Sequence, residues 1–221
     1  MSAHQNRLLN FCQDYDQKSE QKKPSRKDYL LYSYEEDELS DIFNDDFEMN
    51  HDLWLGKSAK RYDVIIMRDP FNLFASRLKW LENPYKNYVG KIPLTNEENI
   101  KKLVLLWKDY AKEYLNQTQY LKNNKITINY NQWFADKAYR RKIAQAMNLK
   151  FTDDKINELA VFSTFKEDDN QKNAQELGVL ERWKKFKSDK KYLKIFKDEE
   201  LIDLSIKIFG DIPGTEQIYK N

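Results

Sequence analysis

Cysteine occurs once in 221 residues, at Cys12, which excludes an intrachain disulfide framework and fits a reducing compartment. A lone cysteine of this kind is read as a small buried apolar residue. Glycine occurs five times, at Gly56, Gly90, Gly178, Gly210 and Gly214, scattered and with no glycine-rich phosphate loop among them. No apolar run approaches the length of about 18 residues that a membrane span needs. The opening stretch MSAHQNRLLNFC lacks the basic-then-apolar pattern of a secretory signal. Nor is there an excess of charge: 38 Lys and Arg face 36 Asp and Glu, a formal charge of +2. Nucleic-acid binders usually show a strong basic excess, so that class is set aside. No His, Cys and carboxylate cluster has metal-ligand spacing. These absences lead to the expectation of a soluble, cytoplasmic protein that binds neither nucleic acid nor metal. The length suits a single domain, 1–221, with a real core.

What is present is an alternation of strand and helix patterns. DVIIM (63–67) is a continuous apolar run, as in a strand covered on both faces of a parallel sheet. Asp69 is placed to cap a following helix with Pro70 at its first position, and Phe71, Phe74, Leu78 and Leu81 form an apolar stripe. Thr95 and Glu98 have capping-box spacing and predict a long helix over about 96–122. KITINY (125–130) alternates as a strand, and Asp136 is placed to cap a helix ending near Met147. YLLYSY (29–34) is a further strand candidate, with short helices expected over about 37–43 and 153–161. Residues 176–186 read as irregular or short-helical, with Trp183 expected in the core, and 197–210 as a helix closed by Gly210. The fold class that follows is α/β, three layers with a mainly parallel sheet flanked by helices. Residues 63–67 and 125–130 are expected to be parallel strands.

In such sheets ligands sit beyond the carboxyl ends of the strands. Arg68 stands there, where its fork of donors suits a phosphate and the next helix adds its free N–H groups. Ser76, eight residues on, would reach the same phosphate if its helix tilts towards the strand end. The plainer alternative is an Arg68–Asp69 surface ion pair and an ordinary helix serine.

RDPFNLFAS (68–76) resembles the 3′-phosphate motif of sulfotransferases that use 3′-phosphoadenosine 5′-phosphosulfate (PAPS), in which a strand-end arginine and a serine eight residues later hold that phosphate. The resemblance runs over roughly residues 28–210 and implies a P-loop-like fold with PAPS as co-substrate. It gives Arg68 and Ser76 to the 3′-phosphate and Tyr130 to the adenine, although Asn131 stands where the family often has glutamate. FSTFKED (162–168) resembles the family's Thr-Ser-Phe segment, which implies Phe165 as a platform for the adenine and Ser163 and Thr164 at the base edge. VLERWKKF (179–186) loosely resembles the late basic loop over the 3′-phosphate, which implies Arg182 and Lys184 as its cations.

The family's loop for the 5′-phosphosulfate is not found. LGKSAK (55–60) contains Gly-Lys-Ser, but His51 stands where the earlier glycine belongs, and the segment precedes a strand instead of following one. Lys57 is therefore read as a solvated loop residue. The expectation is a fold lacking its first strand, which in the family lies between the two strands read here. Those two strands then pair differently, or a partner chain or added segment supplies the missing piece. Transfer also needs a base for the acceptor hydroxyl. Glu35, after YLLYSY, is the first candidate, with His4 and His51 behind it. The implied activity is sulfonate transfer from PAPS to a hydroxyl acceptor, small or carbohydrate, by this chain or by a larger enzyme of which it is the C-terminal part. The alternative is a nucleotide-binding or interaction module without transfer. A kinase relative is disfavoured, because neither its phosphate loop nor magnesium ligands are seen.

Overall fold

The structure is a computed structural model, and it describes residues 31, 33–34, 36–46, 49, 53, 59–81, 92, 94–154, 156–157, 173 and 177–220. The chain divides into two compact units, 1–61 and 62–221. In the first, a single helical turn, α1 (Leu39–Ile42), buries Leu39 and Ile42, and Asn44 closes it by donating to the carbonyls of Ser40 and Asp41. The described residues of the expected strand at 29–34 form none: Leu31, Ser33 and Tyr34 lie outside any strand, and Leu31 is 87 % exposed, so no burial holds it.

The second unit carries a two-stranded parallel sheet, β1 (Val64–Met67) and β2 (Ile126–Asn129). Around it are α2 (Pro70–Trp80), α3 (Glu97–Tyr114), α4 (Tyr130–Ala135), α5 (Lys137–Ala146), a 3-10 helix (Arg182–Lys185), α6 (Lys190–Ile195), α7 (Glu199–Phe209) and α8 (Glu216–Tyr219). β1 and β2 pair directly, Val64 with Ile126 through Met67 with Asn129. Asp63 fixes that register. Its Oδ2 accepts from the backbone N–H groups of Lys122 and Asn123 and from the Asn123 amide, while its backbone bonds Asn123 and Ile126. Ile65 and Met67 are buried, but Ile66 is 61 % exposed, so β1 is covered on one face and not on both as its apolar run suggests. Helix α3 lies against β1 and α7, α5 against β2, and the 3-10 helix and α6 against α2.

Local chemistry explains the helix ends. Asp69 caps α2 with Pro70 at its start, as expected. α3 begins one residue later than the Thr95–Glu98 box predicts, because Asn96 adopts the extended cap conformation and its side chain accepts from the Asn99 N–H at 2.8 Å. It ends at Tyr114 instead of near 122, since Asn116 takes a left-handed φ of 60°. Glu113 then organises the descent to β2. Its fully buried carboxylate accepts from Thr118 Oγ1, the N–H groups of Tyr120 and Leu121, and Lys125 Nζ at 2.7 Å. The helix expected over 153–161 is not formed by residues 153–154 and 156–157, and Asp153 instead pairs with Arg140 at 2.7 Å. α7 does close at Gly210, with φ 70°.

The core under α2 is aromatic. Phe71 stacks on Phe196 at 4.7 Å, Phe74 and Tyr192 meet Phe196 edge-on, and the Tyr192 hydroxyl donates to the Phe71 carbonyl. Trp183 is buried as expected, and Gly214 is needed beside it: φ is 88° there and a Cβ would lie 3.1 Å from the indole. No helix among the described residues is long and apolar enough to cross a membrane.

Glu113 makes the stability of this unit depend on acid. Burial alone would raise its pKa, but Lys125, Thr118 and two backbone N–H groups outweigh that and hold it below the ordinary 4.5. The stabilisation is therefore present above about pH 4.5 and is lost as pH falls through the lower folded value. Glu113→Gln is expected to destabilise the protein by roughly 3 kcal/mol at pH 7, the low end for breaking a buried ion pair because Lys125 keeps some solvent access. Urea unfolding at pH 7 and pH 3 should show that difference shrinking at the lower pH. A constant difference would deny the ion pair its role.

Candidate functional site

The carboxyl end of β1 delivers Arg68 directly into the turn that starts α2. The fully buried Asp69 accepts from the Asn72 N–H at 2.8 Å, and its two oxygens share one N–H of the Asn72 side-chain amide at 3.0–3.1 Å. That nitrogen also donates to the Leu180 carbonyl at 3.1 Å, while the Trp183 N–H approaches Asn72 Oδ1 at 3.4 Å. Asn72, itself fully buried, thus clamps the 179–183 segment onto the start of α2. Arg68 adds a second tie, its Nη2 donating to the Val179 carbonyl at 2.7 Å, and the Trp107 indole holds the Arg68 carbonyl at 3.0 Å.

The clamp brings Arg182 to α2, where its Nη1 donates to Ser76 Oγ at 3.0 Å. The Arg68 guanidinium lies 5.3 Å from the centre of the Tyr130 ring, within cation–π range. Arg68, Ser76, Tyr130 and Arg182 therefore form one corner, drawn from the β1–α2 turn, α2, the β2–α4 junction and the 3-10 helix. The Arg68–Asp69 ion pair and ordinary-serine alternative does not describe this geometry, because the Asp69 oxygens hold Asn72 and the serine holds an arginine.

Two guanidinium groups this close oppose each other's charge. Burial first, then the Arg68 charge, lower Arg182 to about 10, with Tyr130 acting the other way. Burial likewise lowers Arg68, opposed by Asp69 and Tyr130. Both stay cationic at neutral pH. Arg68 Nε is buried and has no hydrogen-bond partner among the described residues. A buried donor left this way costs stability until an acceptor reaches it. An anion bridging the two arginines would satisfy it and offset their repulsion, so the residues present fit a phosphate group. Beside them, the Tyr130 ring is followed along α4 by Trp133 at 6.0 Å and Phe134 at 6.3 Å, both stacked on it.

The other expected residues divide in two. Lys184 is exposed and pairs with Glu181 at 2.6 Å, and no hydrogen bond or ion pair among the described residues joins it to the corner. Glu35, Ser163, Thr164 and Phe165 lie outside the described residues, as do Cys12, His4, His51 and Lys57. Sequence reasoning missed Asn72 and Trp107. The Asp69-x-x-Asn72 spacing is a cap signal in retrospect, but neither residue's partner, a backbone group from a distant segment, leaves a mark in sequence. Among the described residues no group of three or more His, Cys, Asp or Glu is arranged to hold a metal ion.

Asn72→Ala should free the loop while sparing the sheet. It strips the Leu180 carbonyl and Trp183 N–H of their partner, at about 1–3 kcal/mol for each group left buried and unsatisfied. Amide hydrogen exchange is expected to accelerate over 179–185 and to stay slow over 64–67 and 126–129. Uniform acceleration would mean that Asn72 supports the whole unit and not this loop.

No family model, curated protein or solved structure matches the chain, so the reading of this corner rests on its own geometry and on the motifs that lead to it.

Proposed function

We propose that the chain binds a 3′-phosphorylated adenine nucleotide, with Arg68, Ser76 and Arg182 on the 3′-phosphate and Tyr130 beside the adenine, in the manner of a PAPS-dependent sulfotransferase. The observation that carries this is the convergence of residues from three separate motifs: Arg182 reaches Ser76 at 3.0 Å, and Arg68 lies over Tyr130 at 5.3 Å. The orphan donor on Arg68 supports an acidic oxygen as the missing partner. Ser163, Thr164 and Phe165 keep the roles that the resemblance implies, and Lys184 would have to leave Glu181 to take its own.

The reaction such a pocket serves is sulfonate transfer to a hydroxyl acceptor, carbohydrate among the candidates. A base, with Glu35 the first candidate, takes the hydroxyl proton as the oxygen attacks sulfur. The bridging S–O bond breaks, and adenosine 3′,5′-bisphosphate leaves. A cytoplasmic setting belongs to the same proposal.

The second reading, a nucleotide-binding module without transfer, is favoured by the direct hydrogen bonding of β1 to β2. A strand ending in the phosphosulfate loop would lie between them in the family's arrangement. Donors aimed at the reacting group each contribute about 100- to 1,000-fold in rate. A chain that holds only the 3′-phosphate and adenine is accordingly a weak catalyst by itself.

Calorimetry with adenosine 3′,5′-bisphosphate tests the binding. Arg68→Ala should weaken it roughly tenfold or more, the loss expected of one charge-assisted contact. Unchanged affinity removes the assignment. A radiolabelled-PAPS assay over hydroxyl acceptors separates the two readings: robust turnover by residues 1–221 supports the enzyme, and binding without turnover supports the module.

A further inference from the structure

Away from the arginine corner, α6, its flanking turns and α8 enclose a concavity of about 500 Å³ that the proposed function does not use. That volume lies in the range of small-molecule sites, about 300–1,000 Å³. None of Arg68, Ser76, Tyr130 and Arg182 lines it.

Its lining combines two chemistries that usually occur apart. Phe196, which is buried, and Tyr219 supply aromatic surface. Lys187, Lys190, Lys194 and Lys197 surround it, spaced to fall along one side of α6 and its extensions. Lys194 pairs with Glu97 at 2.6 Å. Lys187, Lys190 and Lys197 have no carboxylate partner among the described residues. The acids nearest to them in sequence are committed elsewhere: Asp189 accepts from the Tyr192 N–H, and Asp198 holds Lys108. A merely solvated lysine face needs no concave aromatic floor, and an ordinary core patch carries no row of ammonium groups. The complement to both is a compact anion attached to a flat apolar body.

We propose that this concavity binds phosphate or sulfate monoesters of flat apolar alcohols, with Lys187, Lys190 and Lys197 on the ester group and Phe196 and Tyr219 against the apolar portion. This stands apart from the nucleotide reading, since it shares no residue with that site.

The test is calorimetric titration of the full chain with 1-naphthyl phosphate, 1-naphthyl sulfate, inorganic phosphate and 1-naphthol. Each is run on the wild type and on Arg182→Gln, in which the arginine corner is weakened. At least one naphthyl ester is expected to bind saturably in both proteins, with inorganic phosphate and naphthol at least tenfold weaker in Arg182→Gln. Which of the two esters binds better identifies the head group. Adding Lys187→Gln, Lys190→Gln and Lys197→Gln to either background should weaken the ester at least tenfold. Because all three lysines are exposed, the melting temperature should not change. The proposal is overturned if neither ester binds Arg182→Gln, if inorganic phosphate binds that variant as well as the esters, or if the lysine substitutions leave ester affinity intact.

Discussion

The commitment of Asp69 to its own helix governs the arrangement of the whole corner. Its two oxygens are occupied by the Asn72 N–H and amide, so they cap α2 and do not form a hydrogen-bonded ion pair with the arginine beside them. Arg68 is left with a backbone carbonyl, an aromatic face and a second arginine as its neighbours, with Asp69 acting on it only through its charge. Such a cluster of positive charge in a partly buried place is unfavourable by itself. It persists because the rest of the unit over-determines it: the Trp107 indole grips the arginine's carbonyl, and Asn72 ties down the segment that carries Arg182.

The same division between local and distant partners decides what could be read in the sequence. β1, the Asp69–Pro70 start of α2, the Asp136 cap of α5 and the Gly210 stop of α7 were all legible, because each is set by residues within one or two turns. α4 and α6 are six residues each, too short to show a helical period, and they were missed. The length of α3 was overestimated because apolar spacing continues past Tyr114, while the left-handed turn at Asn116 and the bonds gathered by Glu113 do not show in that spacing. The apolar run of β1 implied two covered faces, yet a two-stranded sheet leaves Ile66 exposed. Of the site, Arg68 and Ser76 are reached from position at the end of β1 and from motif resemblance, Tyr130 and Arg182 from resemblance alone, and their meeting is a property of the folded chain. Val179 and Leu180 join it through backbone carbonyls, to which side-chain identity gives no clue, and Asn72 through a side-chain amide whose partners lie in a distant segment.

Net charge is a poor guide to this surface. The total is +2, but the signs are sorted by position. Acids sit at helix starts as caps, at Asp69, Asp136, Asp189 and Asp198, where a carboxylate also meets the favourable end of the helix dipole. Lys108 and Lys112 reach Glu200 at 2.8 Å, and Lys108 also reaches Asp198, joining α3 to α7. Those lysines hold Glu200 near 2, though on an exposed carboxylate this contributes little to stability. With so many acids engaged in this way, Lys187, Lys190 and Lys197 beside α6 are left without a carboxylate partner among the described residues.

The direct pairing of β1 with β2 also orders events in time. Val64 meets Ile126 only after the intervening chain, with α2 and α3 inside it, has closed as a loop. The contact from Arg182 to Ser76 spans a separation of 106 residues, and that from Arg68 to Val179 spans 111. Loop-closure entropy delays such contacts until more local ones have shortened the effective path. The corner therefore carries a larger loop-closure cost than the sheet. A nascent chain still lacking residues 179–183 would already hold both strands yet have only half of its paired arginines. The pairing of the two arginines therefore waits on the 179–183 segment, which the chain supplies long after both strands.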